Sequence, residues 1–165
     1  MDIIPLLLKE IEQEAQTTRK MLKLVPAEKF DWKPHPKSMS MKSLAVHLAE
    51  IAGWPAMALK TSELDFAAGN YTPATVNSNE DLVSLFEKSY EEGKTAVSNA
   101  SEADLLPTWT MRSGDKIHAV FTKYEVIRHS LSQTTHHRAQ LGVYLRLLDI
   151  PIPGSYGPSA DETNF

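Results

Sequence analysis

The segment HSLSQTTHHRAQLGVY, residues 129–144, concentrates side chains able to bind a metal ion or move a proton. At ~100° of rotation per residue, His129, Gln133, His136, His137, Gln140 and Tyr144 fall along one side of a helix. That side carries neither Lys nor Glu, the residues that ordinarily cover a solvated face. Its composition therefore favours a polar cavity inside a helical bundle over a face turned to water. His47 is the second feature. It is set in the apolar run SLAVHLAEIAGW, where an imidazole needs a reason to be present. A buried histidine satisfied by one hydrogen bond is the simple explanation for such a residue taken alone, and the polar stripe near the C-terminus makes a ligand role competitive.

Spacing limits which of these groups can act together. Gln133 and His137 are one turn apart and can converge. His129 and His137 are two turns apart, about 12 Å along the axis at ~1.5 Å per residue. Imidazole nitrogens bind Zn-like ions at roughly 2.0–2.1 Å, so those two can hardly share one ion. His136 is rotated by ~100° from His137 and is expected to contact another helix or bond locally. A third donor must come from elsewhere in the bundle, and His47 is the natural candidate. No carboxylate lies within one turn to help: Glu125 is two turns before Gln133, and Glu50 is nearly a turn beyond His47.

Several chemistries are excluded or disfavoured. The chain has 165 residues and no cysteine, so disulfides, thiolate metal ligands and a thiol nucleophile are all ruled out. There is no Gly-x-Ser-x-Gly elbow, phosphate-cradling glycine loop or dinucleotide fingerprint. Net charge is −4 with Lys and Arg scattered, which disfavours nucleic acid as a partner. The N-terminal Met-Asp-Ile-Ile-Pro lacks a basic leader. The following apolar residues are broken by Lys9, Glu10 and Glu12, so neither a signal peptide nor a membrane span is expected. A cytoplasmic location follows by default.

The elements that must position these groups can be read from periodicity. Ile4, Leu7, Leu8, Ile11, Ala15, Thr18 and Leu22 mark a helix from about Pro5 to Leu24. The proline-rich stretch 26–37 reads as a turn and an extended crossover. Ser40 is an N-cap for a second helix through Leu44, Val46, His47 and Ile51, which Pro55 should kink or end. Residues 62–78 form a polar, turn-rich loop. Ser78 and Asp81 form a capping box for a third helix carrying Leu82, Phe86, Tyr90, Gly93 and Val97. Residues 101–107 look like a short turn, and Ser113-Gly114-Asp115 suggests a small hairpin or irregular excursion within 108–121. Thr122 and Glu125 open a fourth helix that continues to about Asp149, where Pro151 and Pro153 end it. The tail should lie over the surface. The expected fold is all-α: one domain, residues 1–165, forming a four-helix bundle with long crossover connections.

DWKPHPKSMSMKSLAVHLAEI at 31–51 and HSLSQTTHHRAQLGVYLRLL at 129–148 resemble the two metal-binding segments of the DinB-like proteins, the second matching their HxxxHRGQ pattern. The order, spacing and proline-containing tail match as well, so the resemblance spans nearly the whole chain. It implies a four-helix bundle, commonly a homodimer, with one ligand from the second helix and two, four residues apart, from a later helix. Position by position these fall on His47, Gln133 and His137. Gln133 stands where the family usually has His, and Ala139 where it usually has Gly. A Gln amide oxygen is neutral and hard, whereas Ni²⁺ and Zn²⁺ favour imidazole. Gln133 thus either ligates through its oxygen, holds a water on the ion, or marks a site that has lost its metal.

Two functions are carried forward. The first is a metal-dependent enzyme acting on a small-molecule substrate, by thiol transfer or by hydrolysis at a divalent ion, Ni or Zn. Trp54, His129 and Tyr144 would form pocket walls there, and a cosubstrate would supply the thiol. The second is a non-catalytic small-molecule-binding or stress-response bundle whose metal site is degenerate at Gln133. A purely structural reading, in which the histidines of the fourth helix form a dimer interface, ranks below both.

Overall fold

The first helix starts where Asp2 accepts a hydrogen bond from the Ile4 amide at 3.3 Å. The computed structural model describes residues 2–69, 72 and 74–163. Helix α1 spans Ile3–Leu22 and buries Leu7, Ile11, Glu14, Ala15, Thr18, Met21 and Leu22. The proline-rich crossover contains one 3-10 turn, Ala27–Lys29. Ser40 then caps α2, Met41–Ile51, by accepting from the Ser43 amide at 3.0 Å.

The expected second helix is divided. After α2 the chain turns through Ala52 and Gly53 and restarts as α3, Trp54–Lys60, with Pro55 in its first turn, where a missing N–H is harmless. Helix α4, Asn79–Ser98, opens with the Ser78–Asp81 capping box. Its backbone approaches the α2–α3 break so closely at Gly93 that a Cβ there would lie 2.2 Å from the Ala52 carbonyl oxygen. Helix α5, Lys123–Leu147, opens with the Thr122–Glu125 capping box. The four helical segments read from the sequence are all present, with the second split in two.

A small sheet accompanies the helices. It has the order β1-β2-β3, where β1 is Glu63–Asp65, β2 is Thr108–Ser113 and β3 is Lys116–Thr122. β1 pairs with β2 in parallel, Glu63 opposite Thr110 and Asp65 opposite Arg112. β2 and β3 form an antiparallel hairpin, with Thr110 opposite Val120. Gly114, at φ 56°, takes the left-handed position in its turn, which a side chain would strain. The hairpin falls where the Ser113-Gly114-Asp115 turn suggests a hairpin or irregular excursion, whereas β1 lies in a stretch that reads as loop. Arg112 joins β1 to β2 through Glu63 and Asp65, each at 2.7 Å. Trp109 anchors the sheet on the bundle, donating from Nε1 to the Thr61 hydroxyl at 2.9 Å.

Leu22, Leu44, Leu48, Ile51, Leu82, Phe86, Ile127, Leu141 and Leu145 are buried where α1, α2, α4 and α5 meet. Full burial of such a side chain is worth about 1.5–3 kcal/mol, so this interior fixes the relative placement of the helices. Residues 148–163 contain no helix or strand. Among the described residues no helix is long and apolar enough to cross a membrane.

Candidate metal centre

His47 lies in the middle of α2, between Val46 and Leu48, both buried. His137 lies in the middle of α5, where the next residue, Arg138, turns away to bond with Glu14 and Thr18 of α1. The packing of α2 on α5 brings the two imidazoles together. Their ring centres are 4.7 Å apart and the planes meet at 78°. Both side chains are half-buried. Burial pushes the His47 pKa down, the adjacent His137 lowers it further, and Glu50 works in the opposite sense. The net direction favours neutral imidazole, the form that binds metal.

Imidazoles bound at about 2.0–2.1 Å place their ring centres ~3.2 Å from a metal. Rings 4.7 Å apart are close enough for one ion to reach both. The hydrogen bond at His137 agrees with this. Nδ1 lies 2.8 Å from Gln140 Oε1, an oxygen that only accepts, so Nδ1 is the donor and Nε2 is the nitrogen left to face an ion. An outward bond of this kind is the usual support of a metal-binding histidine. Among the described residues no group of three His, Asp or Glu could hold an ion together.

Gln133 is half-buried one turn before His137, and its Nε2 lies 3.3 Å from His129 Nε2. His129 stacks on Trp54, with centres 6.3 Å apart and planes at 11°, and on Phe121 of β3, at 6.1 Å and 25°. Trp54 also meets His47 edge-on at 5.7 Å. His47, His137, Trp54, His129 and Gln133 thus form one connected set. Tyr144 belongs to a different one: it is buried, packs edge-on against Trp32 at 5.6 Å, and donates to the Met39 carbonyl at 3.2 Å. His136 is exposed and meets the ring of His137, at 4.9 Å. His35 is engaged with the Lys37 amide and His118 with Ser113 on the sheet.

Two features escaped the sequence reading. Phe121 reaches the site only because the hairpin folds against α5, which no local pattern announces. Gln140 belongs to the polar stripe, and its support of His137 follows a three-residue spacing that is legible in the sequence.

A family model described as the DinB family matches residues 2–164. The chain belongs to the DinB family. Solved structures share its fold. A DinB-like protein from Bacillus subtilis superposes with a TM-score of 0.71 at 15% identity, covering 96% of this chain and 99% of its own. A protein assigned to the DinB family from Exiguobacterium sibiricum gives 0.70 at 20% identity, covering 93% and 97%. A DinB-like protein from Bacillus cereus gives 0.68 at 17% identity, covering 90% and 94%. No curated protein matches the chain. The DinB fold is here five helices with a three-stranded sheet.

Proposed function

We propose that this DinB-family chain is a metal-dependent enzyme acting on a small molecule, with Ni²⁺ or Zn²⁺ held by His47, His137 and Gln133. The observation that carries this reading is the convergence of His47 and His137 at 4.7 Å from two separate helices. When bound, the ion supplies Lewis acidity to a thiol or water, which suits thiol transfer or hydrolysis. The chain itself has no cysteine, so any thiol arrives as a cosubstrate. Gln140 orients His137, burial keeps His47 receptive, and Trp54 with His129 supplies a flat wall beside the pair. Tyr144, packed on Trp32, contributes to a pocket wall only if substrate reaches beyond the imidazoles.

Metal analysis of the purified protein, with and without reconstitution in Ni²⁺ or Zn²⁺, tests the reading. One equivalent of ion is expected, lost in His137→Ala and in His47→Ala. Retention of the ion by both variants would refute the assignment.

A second reading is favoured by Gln133 itself. With an amide in place of a third imidazole, the chain would be a non-catalytic small-molecule-binding or stress-response bundle. It would then stay metal-free after reconstitution while keeping its fold. We further read the protein as a cytoplasmic homodimer. The exposed Val143 and Leu147, near exposed His136 on the outer face of α5, are a suitable contact. Sedimentation velocity of the parent and of His136→Glu would show a dimer and its weakening.

A further inference from the structure

We propose that His129 is a positioning residue for Gln133, fixing which end of its amide faces the ion. The inference rests on the metal-site reading and deepens it. A glutamine differs from the imidazole it replaces in one decisive respect. Its carbonyl oxygen can bind a cation and its NH2 cannot, and the two ends exchange by a half-turn about one bond. A Gln used as a ligand therefore needs a neighbour that selects the productive orientation.

His129 has the geometry to do this. Gln133 Nε2 is the amide atom that faces it, at 3.3 Å from His129 Nε2, so the NH2 donates to the ring and Oε1 is the end not used by that bond. His129 is itself the acceptor. Its ring lies near-parallel to those of Trp54 of α3 and Phe121 of β3, with centres 6.3 and 6.1 Å away. His129 cannot replace Gln133 as a ligand beside His137, because two helical turns, ~11–12 Å, separate them. Trp54, which also meets His47 at 5.7 Å, ties this orienting pair to the first imidazole.

The mechanism needs one unprotonated ring nitrogen on His129, because an imidazolium offers no acceptor. It requires an acceptor atom in a set place, and the substitutions follow from that. His129→Phe keeps a flat ring for the stack and removes the acceptor. His129→Gln restores an acceptor at similar reach. Support of a ligand from outside the coordination sphere is typically worth 10–100-fold in metal affinity.

Two measurements on the full chain test the proposal. In metal-free protein, side-chain ¹H–¹⁵N spectra should show the Gln133 NH2 protons shifted and slowed in exchange by their bond. That signature should vanish in His129→Phe and persist in His129→Gln. Nickel titration by calorimetry should show about tenfold weaker binding in His129→Phe. His129→Gln should bind like the parent, and His129→Phe should cost nothing in a Gln133→His background, where no amide needs orienting. Circular dichroism confirms that each variant is folded. An unchanged Gln133 signature in His129→Phe would overturn the proposal, whatever the metal does. An equal nickel loss in the Gln133→His background would also overturn it, by showing a general effect on the pocket. If the amide signature responds as expected but the parent takes up no nickel, the positioning stands and the metal-site reading fails.

Discussion

Arg138 Nη1 lies 2.7 Å from Glu14 Oε2, and the two side chains are only 4% and 11% exposed. Arg138 donates its hydrogen bonds to the Glu14 carbonyl and the Thr18 hydroxyl, each at 3.2 Å, while the Tyr156 hydroxyl donates to the other Glu14 carboxylate oxygen at 2.5 Å. Adjacent residues of α5 thus divide the labour: His137 turns to α2 and Arg138 to α1. Removing one partner leaves the other as an uncompensated buried charge, which costs roughly 3–5 kcal/mol. Arg138→Ala and Glu14→Ala should each lower unfolding free energy by about that amount in urea titrations. The double variant Glu14→Leu/Arg138→Met should recover much of the loss. A loss below ~1 kcal/mol in the single variants would show that the pair is not held as described.

The tail is fastened by Asp161, which accepts from Arg146 and from the Ile152 amide at 3.0 Å. The Arg146 hydrogen bond, and after it the Ile152 amide, hold the Asp161 carboxyl below its ordinary value. Because the folded pKa lies below the unfolded one, the fastening is at full strength above the unfolded value and is lost as pH falls through the folded value. The Ile152 amide resonance should therefore stay in its bound position at pH 5 and move only in more acid solution. Asp161→Asn should expose residues 150–163 to protease at neutral pH. Equal protection of the parent and this variant would argue against the fastening.

Gly93 permits the close approach of α4 to the break between α2 and α3. A Cβ at that position would lie 2.2 Å from a backbone oxygen, which no side-chain movement can relieve. Gly93→Ala should destabilise by about 1–3 kcal/mol despite the better helix propensity of alanine. Thermal unfolding followed by circular dichroism measures it. An unchanged or raised midpoint would mean that the helices separate easily there.

In the proposed metal site, Gln133→His adds a third imidazole to His47 and His137. Nickel affinity should rise by at least about tenfold, since imidazole suits this ion better than an amide oxygen. Calorimetry with parent and variant gives the ratio directly. Weaker binding in the variant would show that position 133 does not face the ion.

Much of this architecture can be read locally. The helices follow from three- and four-residue spacing, and the Ser78–Asp81 and Thr122–Glu125 boxes mark two starts to the residue. Pro55 announces the division of the second helix. The pairing of His47 with His137 was inferred from one polar stripe and one misplaced imidazole, helped by the resemblance to the DinB-like segments. What the sequence hides is non-local. Thr134 and Arg138 look like flaws in the apolar stripe of α5, and only the arrival of Glu14 from α1 explains Arg138. Strand β1 has three residues, too few for a period, and its partner lies beyond the whole of α4. The contact of Phe121 with His129 comes from a hairpin, which helical spacing cannot reveal.

The parallel pairing of β1 with β2 also orders the assembly of the molecule in time. Parallel strands cannot be joined by a tight turn, and here α4 is the connection between them. Closing so long a loop for three residues of ladder is entropically unrewarding until α4 has docked on its neighbours. Strand β1 is thus a late arrival on the folding route. Its amides should be among the last to acquire protection during refolding and among the first to lose it when the native state opens.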